Sequence, residues 1–139
     1  MTALLAGLTD QSMWRAVLFV ASDGGPPKGW PFMMRALSGG LWCTSYRAGA
    51  KMRWIAAADE ACCLLFTDEG APEPYAVVEG AVKVTEPTIE LIEQWLGSPY
   101  RPGEARVADR LASLQRVFIT VEPTRPPVVH GMWPEPAAG

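Results

Sequence analysis

The chain has 139 residues, 49% of them apolar and 19% charged, with a net charge of −3 and a pI near 5.1. That balance excludes a disordered chain, and the acidity argues against a surface devoted to nucleic acid, which needs a dominant cationic face. One domain over 1–139 is expected at this length, burying roughly two-thirds of its unfolded surface, and the shortage of charge implies that a partner, most simply a second copy, covers apolar area.

Met1–Leu8 lacks a basic segment and meets polar Thr9–Ser12 too soon for a signal peptide or a membrane span. Residues 1–14 read as an N-terminal helical segment, with Thr9 or Asp10 as N-cap. Ala16–Ala21 is an apolar strand ended by the Gly/Pro cluster around Gly24–Pro27, and a return strand over Lys28–Leu37 puts Trp30, Phe32 and Met34 on one face. Pro31 cannot donate to a ladder, so it marks an edge, a bulge or a place where pairing opens. Ser38-Gly39-Gly40 is a hairpin signal into a third strand, Leu41–Thr44, completing a meander.

Ala50–Ala58 reads as a two-turn helix with Met52, Ile55 and Ala56 as its buried stripe. Strands follow over Ala61–Thr67 and Tyr75–Thr85, joined by a turn at Asp68–Pro72. Gly80 inside the second implies a bend or a close backbone approach. A helix starts at Glu86-Pro87-Thr88 and runs to Leu96 with Ile89, Ile92, Glu93 and Leu96 at helical spacing, and another lies within Arg101–Gln115, where Val107, Leu111 and Leu114 are the apolar positions. Val117–Val121 is the last clear strand, Val128–Trp133 follows a proline break, and 134–139 is a loose tail. The fold expected is mainly β with peripheral α: a six-stranded antiparallel barrel with short helices.

Three cysteines (Cys43, Cys62, Cys63) are an odd number, and a strand would point the adjacent pair to opposite faces, so no disulfide framework is expected and a reducing cytoplasm fits. His130 is the single histidine, and no CxxC or HxxxH spacing occurs, so no metal is expected. Hydrolase and kinase signatures are absent as well. Thr44, Ser45, Arg47, Lys51 and Arg53 do cluster at a strand-to-helix junction, where helix N–H groups and cations together favour a phosphate; the alternative is the wet face of a short helix. Trp30, Pro31, Phe32, Met33 and Trp42 offer a wall for a flat ring, or else ordinary core, with backbone N–H groups opened by Pro31 for polar recognition. Glu79 is either a buried acid or a strand residue paired with Lys83 or an arginine.

Leu41-Trp42-Cys43-Thr44, Lys51-Met52-Arg53-Trp54-Ile55, Ala61–Phe66 and Tyr75–Gly80, taken in order, resemble the pyridoxamine 5′-phosphate oxidase-like flavin-binding split barrels and the related deazaflavin enzymes. The resemblance implies a homodimer with its cofactor at the interface. Thr44 and Lys51 would hold the phosphate with Arg53 as second cation, and Cys43 would lie beside them. Pro31, Phe32 and Met33 would run along the ring edge, and the partner subunit would complete the site through its Tyr75–Gly80 strand and the region near Trp133. Two departures are Trp54-Ile55, where the family has Asn-Leu after its basic pair, and Asp59-Glu60, where it has Asp-Pro. No C-terminal extension for a vitamin B6 substrate is seen.

The expected function is therefore an oxidoreductase using FMN, or alternatively the deazaflavin coenzyme, for hydride transfer with a small conjugated substrate. No catalytic residue is assigned. The competing readings are a non-catalytic carrier of a flavin, tetrapyrrole or other flat ligand, and a degenerate barrel kept for association.

Overall fold

The computed structural model of the chain describes residues 13–22, 24–66, 75–96 and 104–130. The expected features at residues 1–12, the turn at Asp68–Pro72, Trp133 and the tail 134–139 lie outside them.

The chain begins with the expected meander, longer than its apolar runs. β1 (Met13–Ser22) pairs antiparallel with β2 (Gly25–Leu37), and β2 with β3 (Gly40–Tyr46). Met13 and Trp14 belong to β1, not to a helical segment, because they pair across from Arg35 and Met34. The β2–β3 hairpin turns on Ser38 and Gly39, both at positive φ (51° and 79°), the primed geometry whose twist matches that of the strands. Trp42 Nε1 secures it by donating to the Leu37 carbonyl at 3.1 Å.

After α1 (Met52–Ala57) come β4 (Glu60–Phe66), β5 (Tyr75–Thr85), α2 (Ile89–Leu96), α3 (Ala105–Ala112), β6 (Arg116–Pro123) and β7 (Val128–His130). The sheet order is β4-β1-β2-β3-β6-β5-β7, and a further β4–β5 pairing closes the first six into a barrel. β7 is an addition to the expected six strands, pairing with residues 75–77 of β5, next to the stretch 80–85 that pairs with β6. At Gly80 the β6 backbone leaves no room for a Cβ on β5.

Strand alternation sorts two cores. Inward residues of the barrel (Leu18, Met34, Cys43, Cys63, Val78, Ile119 among them) form the larger one, and Met52 and Ile55 of α1 join it, so the short helix plugs the barrel. The smaller core lies outside β6, where Ile92, Trp95, Leu96, Ala108 and Leu111 of α2 and α3 close over Phe118, with Trp42 and Trp95 edge-on to the Phe118 ring.

The helices are shorter than their patterns. α1 stops at Ala58, which turns to extended backbone (ψ 144°) to enter β4, so tertiary connection overrides the alanine-rich propensity and leaves Ala56 exposed. α2 starts after Thr88, whose hydroxyl accepts from Leu91 N–H, and it buries Trp95 while Ile89 stays 70% exposed. Leu114 lies beyond α3 at φ 65° and is exposed. Among the described residues no helix is long and apolar enough to cross a membrane.

Candidate cofactor cleft

The barrel is split between β2 and β3. Their ladder holds three pairs, Arg35–Trp42, Ala36–Leu41 and Leu37–Gly40, and then ends. Beyond it β2 stays paired to β1 through Val17–Pro31 and on toward Lys28, but among the described residues no strand takes its other edge from Gly25 to Met34. Among the described residues, Cys43–Tyr46 of β3 is likewise paired to β6 alone. Pro31 thus stands where pairing opens, one of the alternatives its missing N–H allows.

The turn after β3 brings cations to one lip of this split. Lys51 Nζ lies 4.8 Å from the Phe32 ring centre, Lys28 Nζ 5.2 Å from the Trp54 ring, and the Arg53 guanidinium 5.1 Å from that same ring. Among the described residues none of the three has a carboxylate partner. The helix dipole adds little: α1 has six residues, Met52 N–H is taken by the Gly49 carbonyl, and the Trp54 and Ile55 N–H groups by Lys51. Side-chain charge must carry whatever anion affinity the lip has.

Cys43 points into the core and is fully buried. Burial pushes its thiol well above the ordinary value, with Cys63 adding to the effect and the charge of Lys51 opposing it. Cys63 is pushed up to about 12, mainly by burial. Both are therefore neutral thiols, and what Cys43 offers the split is backbone. Ser45, next on the same inward face, is 3% exposed, and its Oγ has no hydrogen-bond partner among the described residues. An orphaned buried hydroxyl is costly unless something else uses it.

Thr44 faces outward, and its Oγ1 accepts from Arg116 Nη1 at 2.9 Å, so the structure parts it from Lys51 and Arg53. Pro31 and Met33 also face outward, Met33 being 48% exposed, while Phe32 faces in with Lys51. Glu79 pairs with Arg125 at 3.1 Å, the arginine alternative, and His130 is exposed on β7.

No family model matches the sequence, and no curated protein is significantly similar to it. Solved structures are similar in fold. An F420 reductase is 22% identical, with 89% of this chain and 93% of that one aligned at a TM-score of 0.56. A pyridoxamine 5′-phosphate oxidase-related, FMN binding protein from Nostoc punctiforme PCC 73102 is 14% identical (83% and 78% aligned, TM-score 0.54). The heme storage protein HutZ from Vibrio cholerae is 15% identical (83% and 84% aligned, TM-score 0.66). The fold is the pyridoxamine 5′-phosphate oxidase-like split barrel.

Within this split barrel, sequence reasoning missed Lys28, which joins Arg53 on Trp54 only because β2 folds back beside α1. The signal was Lys28 preceding the aromatic run of β2, but nothing local tied it to Trp54. Ser45 stood in the sequence cluster without being singled out; its inward parity with Cys43 was the available signal. An open strand edge, cations without acidic partners among the described residues, the Phe32 and Trp54 rings and a spare hydroxyl together make a donor set that fits a planar ring carrying a phosphate.

Proposed function

We propose that the protein is a homodimeric oxidoreductase that holds FMN, or the deazaflavin coenzyme in its place, in the β2–β3 split and serves hydride transfer with a small conjugated substrate. The observation that carries this reading is the trio Lys28, Lys51 and Arg53, without acidic partners among the described residues, beside the free edge of β2. The ring, when bound, supplies the redox chemistry. Lys51, Arg53 and Lys28 neutralise the phosphate, backbone groups of β2 around Pro31 fix the ring edge, and Phe32, on the inward face with Lys51, supplies apolar contact. The α1 plug keeps water out from below.

The experiment is fluorescence titration of cofactor-free protein with FMN, with the deazaflavin, and with hemin. Micromolar or tighter flavin-type binding supports the reading. Binding of hemin alone would move the protein to the carrier reading, which the likeness to HutZ favours. Ser45→Ala gives a check with two opposite signs. Removing an unsatisfied hydroxyl should raise apo-protein stability by up to about 1 kcal/mol, and losing a ligand contact should weaken cofactor binding several-fold. Lower stability with unchanged affinity would take Ser45 out of the cleft.

The dimer is supported by the outward face of the barrel. Pro31, Val17, Leu64, Val77 and Val128 stand in one row across β2, β1, β4, β5 and β7. In the adjacent row Met33 and Phe66 flank Arg15, and Val128 remains 55% exposed. A continuous apolar row of this kind is what a self-complementary interface needs, and it runs into the Pro31 side of the split. Leu64→Arg should convert the dimer to monomer in sedimentation analysis and weaken cofactor binding with it. A wild-type protein that is monomeric at micromolar concentration would remove the dimer from the proposal.

A further inference from the structure

A second cationic cluster lies outside the cleft, where α3 meets β3 and β6. The Arg116 guanidinium stacks 4.1 Å from the Tyr46 ring centre and donates from Nη1 to Thr44 Oγ1. Arg110, in the last turn of α3, lies 5.4 Å from the same ring and donates to the Tyr46 hydroxyl. The neighbouring Arg47 differs: Glu86 takes both its terminal nitrogens and the Leu114 carbonyl accepts from its Nε at 2.8 Å. Arg110 and Arg116 have no such acid among the described residues.

Two guanidiniums held against one ring repel each other, and cation–π attraction of about 0.5–1 kcal/mol apiece at a site this exposed is modest compensation. The hydrogen-bond inventory is one-sided as well. Arg116 Nε is buried and has no partner among the described residues. Tyr46 and Thr44 use their oxygens as acceptors, so each keeps a hydroxyl hydrogen to donate. Every charged group left over is a donor, and Tyr46, 44% exposed, opens the cluster to solvent.

We propose that Arg110, Arg116, Tyr46 and Thr44 form a second oxyanion site that takes the phosphate of a small phosphomonoester. A tetrahedral dianion has enough acceptor oxygens to meet two guanidiniums and two hydroxyls at once, whereas a carboxylate presents two oxygens in one plane and matches a single guanidinium fork. The two guanidiniums, Arg116 above all, also hold the Tyr46 phenol below its ordinary value. The site does not depend on the cofactor reading: its residues and those of the Lys51 lip are separate sets.

Calorimetric titration with inorganic phosphate, in phosphate-free buffer at low salt, tests it on Lys51→Ala protein, where the cleft is weakened. Saturable one-to-one binding is expected, reduced about tenfold or more by adding Arg110→Gln or Arg116→Gln. Phosphate should also shift the tyrosinate absorbance titration upward in wild type and not in Tyr46→Phe. No saturable binding, loss of binding in Lys51→Ala alone, or acetate binding as tightly as phosphate would each overturn the proposal. Should Arg116→Gln fail to fold, Arg110→Gln on the surface helix decides. Failure of both FMN and the deazaflavin to bind wild-type protein would sink the cofactor reading and leave this test unaffected.

Discussion

Gly80→Ala is expected to lose about 3 kcal/mol or more of folding stability, enough to bring a domain of ordinary stability close to its unfolding threshold. A Cβ at that position would stand 2.0 Å from the Glu122 carbonyl oxygen, 2.6 Å from its carbon and 2.9 Å from Pro123 Cα. All three are backbone atoms of β6, and they cannot retreat without breaking the Gly80–Pro123 and Ala81–Glu122 pairs that help close the barrel. Gly24→Ala is the control. Gly24 has φ 70° but nothing within 4 Å of a Cβ, so only the left-handed backbone cost of about 1–2 kcal/mol applies. Urea midpoints measure both, and a Gly80→Ala loss no larger than that of Gly24→Ala would mean that β5 and β6 are not in such close contact.

Lys51→Ala should separate binding from folding. The Lys51 side chain makes no cap bond, and its carbonyl keeps accepting from Trp54 and Ile55 N–H groups after truncation. What the fold loses is the contact over Phe32, about 0.5–1 kcal/mol. What a bound phosphate loses is a charge-assisted bond of about 1.5–3 kcal/mol, which is about tenfold to about a hundredfold in Kd. Flavin titration and thermal melts on one preparation read both quantities. Wild-type affinity retained in the variant would take the phosphate away from this lip, and a collapse of the melt would assign Lys51 to the fold.

Local chemistry was legible in the sequence. The Ser38-Gly39 turn, the inward parity of Trp30, Phe32 and Met34, and the close approach at Gly80 each follow from one residue type or one period. The site was legible in part. Lys51 with Phe32 could be read from the ordered motifs, but Thr44 sits one residue from Ser45, and a single step along a strand reverses the face. Only pairing with β6 shows that Thr44 looks outward to Arg116, a partner 72 positions away in the chain. Helix ends were misjudged where tertiary connections decide them, as at Ala58, and β7 was too short a stretch after prolines to read as a strand.

The free side of β2 has a consequence for solubility. A strand with a bare row of amides and carbonyls invites a neighbouring chain to add to it, the first step of edge-to-edge aggregation. Here that strand carries Pro26, Pro27 and Pro31, each lacking a donor, and Lys28, whose charge resists burial between sheets. Those prolines and that lysine make the edge a poor template for another copy's strand.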